Sequence, residues 1–142
     1  MKYLLLLLPL LFVTSVKAEE FALEDLITQL QNDVPTVRIE AAIALAKIGP
    51  EAIAAEPVLK EMLRGDDELN NALACGIIQG IGGRAVNLID DISMLLPHEN
   101  FHIQYWACRA LGAIGPLAHR KALVLGPMMM NEEASVRKNA AM

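Results

Sequence analysis

One internal period constrains this chain more than any other feature. Displaced by 33 residues, Asn70–Ala85 falls under Val37–Ala52, and Ile103–Ala118 falls under both. A further displacement lands on Val136–Met142. The clearest copy is Asp33–Ala52. Its Val37, Ala41, Ala44, Leu45 and Ile48 fall on one helical face. Asp33 is a plausible N-cap, and Pro35 suits the first turn, where its missing N–H costs nothing. Gly49 can take the left-handed conformation that ends a helix, and Pro50 blocks continuation. A second helix, about Glu51–Arg64, would bury Ile53, Val58, Leu59, Met62 and Leu63, with Pro57 kinking or restarting it. A helix pair of this length cannot bury its apolar face alone. Stacked copies can, so a fixed period of this size predicts an all-α solenoid.

The other copies keep the frame. Asp66–Pro97 turns at Ile81-Gly82-Gly83 and would bury Val86, Ile89, Ile92, Leu95 and Leu96. Glu99–Met130 turns at Ile114-Gly115-Pro116, and its second helix carries Leu123, Leu125, Met128 and Met129, with a bend at Pro127. Phe21–Gln31 has apolar residues at 23, 26, 27 and 30 and reads as the second helix of an opening half repeat. Val136–Met142 begins a fourth copy that breaks off inside its first helix. The expected array is about three full repeats over residues 19–142 with a half repeat at each end. Acidic residues precede each first helix (Asp66-Asp67, Glu99, Glu132-Glu133), where the helix dipole favours them. Composition agrees: 54% of residues are hydrophobic and only 4% aromatic, and of the Ala, Leu, Ile and Met that carry most of the apolar content, all but Ile keep rotamer freedom in a helix.

The first 18 residues stand apart. Lys2 precedes a continuous apolar stretch, Tyr3–Val13, and Val16-Lys17-Ala18 resembles a small-x-small cleavage site. This reads as a secretory signal removed after Ala18, so the chain is expected to be exported, periplasmic or secreted. The apolar stretch falls short of the roughly 20 residues that span a bilayer, and no later segment is expected to be long and apolar enough to span. Removing Lys2 and Lys17 leaves ten Lys and Arg of the original twelve against seventeen Asp and Glu, a net charge of −7. Without a basic stripe, nucleic acid is not an expected partner.

The pattern Asp33-x-Pro-x-Val37-Arg38-x-x-Ala41-Ala42-x-Ala44-Leu45-x-x-Ile48-Gly49-Pro50 closely resembles the HEAT-like repeat, in particular the short bacterial type also found in phycobilisome lyases. The resemblance runs from Phe21 to the end. It implies a right-handed α-α superhelix that acts as a protein-binding scaffold, often beside an enzymatic or redox domain. In that family the Arg of the Val-Arg dipeptide typically pairs with the Asp that starts a repeat. Here Val37-Arg38 and Val136-Arg137 keep the dipeptide, while Asn70-Asn71 and Ile103-Gln104 replace it. The expected ladder is therefore Arg38–Asn71–Gln104–Arg137, held mostly by amide hydrogen bonds in place of ion pairs.

Candidate sites are few. His98-Glu99-x-x-His102 matches the zinc-protease pattern, which needs both His on one helix a turn apart. In the repeat frame His98 aligns with Gly65 and Asn131, between repeats, so His98 is expected in a loop and His102 on a helix surface. Cys75 and Cys108 occupy one repeat position on neighbouring first helices. Packed helices lie about 8–10 Å apart, farther than the roughly 7 Å a disulfide tolerates. They are expected to be buried free thiols, with a bridge as the alternative if the helices pack closely. Three consecutive Met, Met128–Met130, could suggest soft-metal ligation, but they diverge by about 100° each on a helix and read as core with one at the surface. Trp106, the only Trp, aligns with Glu40 and Leu73 on a stripe that Thr36 and Lys47 mark as outward-facing. Either its indole lies back over Gly76 and Gly80, filling the groove they leave, or Leu69, Leu73 and Trp106 form an apolar patch beside His102 and Arg109, suited to binding a partner. No cofactor or metal is expected. The function expected is a non-catalytic scaffold for a protein or peptide. The alternatives are a lyase-type or enzyme-accessory HEAT protein and, more remotely, a zinc metallopeptidase using His98, Glu99 and His102. Further repeats or another domain of the same gene are possible neighbours.

Overall fold

A computed structural model describes residues 22–121. The signal-like segment, Leu123, Leu125, Met128–Met130, Pro127, Glu132-Glu133 and the fourth copy with Arg137 lie outside the described residues. The fold is all-α, and no strand occurs among the described residues. Helix α1 covers residues 22–29. Then follow α2 (Pro35–Ile48), a 3-10 segment (Gly49–Ala55), α3 (Glu56–Arg64), α4 (Glu68–Ile81), a second 3-10 segment (Gly82–Leu88), α5 (Ile89–Ser93), α6 (Phe101–Ile114) and a third 3-10 segment (Pro116–Lys121). Helices α2, α4 and α6 are each 14 residues long and begin 33 residues apart, the period of the sequence. Each ends at a glycine with positive φ: Gly49 at +83°, Gly82 at +67° and Gly115 at +91°. Only glycine adopts that conformation without steric cost, so the expected stops are real.

The second helices expected in the first two copies are each interrupted. Chain leaving Gly49 runs as tight 3-10 turns to Ala55, and α3 restarts with Pro57 in its first turn. The second copy repeats this with a short α5. Helix α4 packs against α2 on one side and α6 on the other, and α3 packs against α4 and α5. The core lies among them. Leu45, Leu59, Ile77, Ile78, Leu88, Ile92 and Leu96 are wholly buried, each contributing about 1.5–3 kcal/mol. Of the residues expected inside, Ile48 is an exception at 39% exposed. The run Glu68–Ser93 is 26 residues long and contains an 18-residue window of mean hydropathy 1.4, enough by length and composition for a membrane-crossing segment and contrary to the expectation for later segments. It is not one straight helix, because Gly82 turns the chain within it.

One capping expectation needs correction. The N-cap of α2 is Val34, whose side chain caps nothing. Asn32 organises that turn instead: its Oδ1 accepts from the Val34 N–H at 2.9 Å. Before α6 the cap is Asn100, which follows the acidic Glu99; Asn100 Oδ1 accepts from the His102 N–H at 2.9 Å. Before α4, Asp67 accepts from the N–H groups of Leu69 and Asn70, so there the acidic residue does cap.

The amide ladder is also replaced by something else. Each side chain at this repeat position reaches back to carbonyls of the stretch of chain before its own helix. Arg38 Nη1 donates to the carbonyls of Asn32 and Asp33. Asn71, 1% exposed, donates to those of Met62, Leu63 and Gly65. Gln104 Nε2 donates to that of His98 at 2.6 Å. For Asn71 the reason is local: Met62 and Leu63 lie in the last turn of α3, whose carbonyls have no intrahelical partner and take a side-chain donor. Ion pairs still cross between copies, Arg38 to Asp67 at 3.6 Å and Arg64 to Asp91 at 2.6 Å.

Candidate partner-binding face

The described residues contain three Phe, Tyr or Trp side chains, and all are on the first two turns of α6: Phe101, Tyr105 and Trp106. At 100° per residue, Phe101, Tyr105, Arg109, His102 and Trp106 fall within an arc of about 140° on one face of that helix. Asn100 at the start and Gly115 at the end fix the helix that presents them.

The side chains contact one another. The rings of Phe101 and His102 lie 4.4 Å apart at 35°. Those of Tyr105 and Trp106 meet edge to face at 5.9 Å and 77°, a preferred geometry for aromatic quadrupoles. The Arg109 guanidinium sits 5.5 Å from the Tyr105 ring centre, within cation–π range. Its Nη1 donates to the Tyr105 hydroxyl at 2.7 Å, and its Nε donates to Gln79 Oε1 on α4 at 3.2 Å. Phe101, His102 and Arg109 are exposed, while Tyr105 and Trp106 are half-buried.

The stripe read from the repeats is therefore only partly as expected. Thr36, Glu40, Ile43 and Lys47 on α2 all face solvent. On α4, Leu69 and Leu73 are half-buried, and Leu73, like Trp106, packs against the core. His102, Trp106 and Arg109 share a face of α6, with Leu69 and Leu73 on the adjoining helix. The indole does not fill a groove over Gly76 and Gly80. Gly80 is met by the backbone of Ala46, from α2, and a Cβ added at Gly76 would touch nothing within 4 Å. Phe101, Tyr105 and Gln79 escaped the sequence reading. The signal available for the first two was the 101–105–109 spacing along one helix.

His98 lies before the N-cap of α6, in the loop, and His102 is the second residue of the helix. The two do not form the one-turn helical pair of the zinc-protease pattern. His98 Nδ1 accepts the Asn100 N–H at 3.0 Å, and its Nε2 lies 4.0 Å from Glu68. Among the described residues no group of three His, Cys, Asp or Glu is placed to hold a metal. Cys75 and Cys108 are free and buried. Burial pushes the Cys75 thiol from its ordinary 9.0 up to about 12, with nearby Cys108 adding to the effect. Burial likewise pushes Cys108 up to about 11. Thiols held protonated are poor nucleophiles and metal ligands. A polar cleft of about 260 Å³ lies where α1, α2, α3 and α4 meet, walled by Asp33, Arg38, Glu61 and Asn70 over Leu30 and Met62.

No known family model matches this sequence, and neither does any curated protein. Among solved structures it is similar to an engineered protein whose crystal structure comes from the Northeast Structural Genomics Consortium. The TM-score is 0.68 at 24% identity, covering 84% of this chain and 60% of that one. The likeness concerns the fold alone, and this chain matches less than two thirds of that protein's length.

Proposed function

We propose that this chain is an exported, non-catalytic scaffold of HEAT-like helix pairs wound into a right-handed superhelix, and that it captures a protein or peptide on the α6 face. The observation that carries the binding part is the gathering of every described Phe, Tyr and Trp, with an exposed Arg, on two turns of one helix. Aromatic and Arg side chains are the residue types on which binding energy concentrates at protein interfaces. The superhelix is supported by the 33-residue recurrence of helix starts and of positive-φ glycines, since identical helix pairs stacked in one register generate a regular curve. Export rests on the signal-like residues 1–18.

Affinity capture tests the proposal. The immobilised full chain is mixed with an exported protein fraction, alongside the double variant His102→Ala/Arg109→Ala. A protein retained by the native chain and lost from the variant supports the α6 face. Equal recovery on both places the interaction elsewhere.

A further inference from the structure

Arg109 differs from Arg38 and Arg64. Those two reach carboxylates, Asp67 and Asp91. Arg109 reaches neutral acceptors only, Gln79 Oε1 and Tyr105 Oη, and its Nη2 has no partner among the described residues. Because Gln79 Oε1 faces the Arg109 Nε–H, the amide orientation is fixed. Its Nε2 is then left buried and without a partner. The Tyr105 oxygen accepts from Arg109 and so keeps its own proton to donate. Helix α6 contains no Asp or Glu. The one acidic residue of α4, Glu68, is already engaged by Asn100 at 2.9 Å and faces His98. An exposed positive charge thus stands among surplus donors and aromatic rings, on a chain whose net charge is −5.

We propose that the α6 face takes an acidic peptide segment, with an Asp or Glu carboxylate seated on Arg109 and neighbouring apolar side chains against Phe101 and Trp106. This rests on the reading of that face as the docking surface. A carboxylate presents two oxygens and accepts several N–H and O–H groups at once, which the guanidinium fork and the Tyr105 hydroxyl supply. The half-buried rings lower the local dielectric and strengthen the pairing.

A displayed random peptide library selected on the full chain tests this. Binding is read by the emission of Trp106, the only Trp in the sequence. Selected peptides are expected to carry an Asp or Glu beside an apolar residue. Changing that acid to its amide should weaken binding about tenfold or more. Arg109→Gln should cost a similar factor, and the two losses should not multiply. Peptides that shift Trp106 emission yet tolerate both changes overturn the carboxylate assignment and leave the docking face standing. If no selected peptide affects Trp106 emission, both readings fall.

Discussion

The carbonyl oxygen of Ala46 stands 2.3 Å from where a Cβ on Gly80 would lie, and the Ala46 Cα stands 2.9 Å from it. Helices α2 and α4 therefore meet backbone to backbone at this point. That contact sets how closely the first two copies approach, and it leaves no room for any side chain at position 80.

Gly80→Ala should consequently lower stability by about 1–3 kcal/mol or more, because the obstacle is backbone and cannot rotate aside. Gly76→Ala and Gly112→Ala are interior to α4 and α6, and a Cβ at either meets nothing within 4 Å. Those two should stabilise by about 0.5–1 kcal/mol through the helix preference of Ala over Gly. Urea unfolding of the three variants checks the opposite signs.

The caps provide a second contrast. Asp67 accepts from two N–H groups and pairs with Arg38, so Asp67→Ala should cost about 1 kcal/mol. The Asp33 side chain caps no helix, so Asp33→Ala should stay within about 0.5 kcal/mol of the native chain. Thermal unfolding of both variants, matched for salt, decides between this assignment and the reading of Asp33 as an N-cap.

Asn71 ties three carbonyls at and just after the end of α3 to α4, those of Met62 and Leu63 buried and that of Gly65 partly so. Asn71→Ala leaves them without their donor and should cost about 1–3 kcal/mol. Asn71→Leu should do no better, since an apolar group of similar size restores packing but not the bonds. The check is the denaturation midpoint at unchanged m-value.

Much of this fold is legible in the sequence. Helix starts at 35, 68 and 101, glycine stops at 49, 82 and 115 and the buried thiols all follow from one period and a few residue types. What the period hides is whatever differs between copies. Reading by repeat position compares Tyr105 with Ala72 and Phe101 with Glu68, which conceals that 101, 105 and 109 adjoin along α6. The ladder position holds Arg38, Asn71 and Gln104, and only the fold shows that all three serve carbonyls of the preceding stretch of chain. Gly76 and Gly80 are one letter in the sequence, yet one faces open space and the other a backbone. Close backbone approach leaves no side-chain pattern to read.

The thiols give a pH dependence with a definite sign. Both are protonated in the fold well above their ordinary 9.0, to about 12 for Cys75 and about 11 for Cys108. Below pH 9 the folded and unfolded chains hold these protons alike, and the thiols add no slope. Above pH 9 the unfolded chain loses protons that the folded chain keeps, so stability falls as pH rises toward 11–12. The slope approaches about 1.4 kcal/mol per pH unit for each thiol. Melting curves between pH 8 and pH 11 should show a steeper decline for the native chain than for Cys75→Ala/Cys108→Ala. Equal slopes would mean that the thiols are not held protonated by the fold.

The most direct test of the α6 face compares two exposed positions two periods apart. A photo-crosslinking amino acid is placed at His102, and separately at Thr36 on α2, in cells producing the full chain. The face described here yields a discrete crosslinked adduct from position 102 and none from position 36. Adducts from both positions alike, or none from 102, would contradict it.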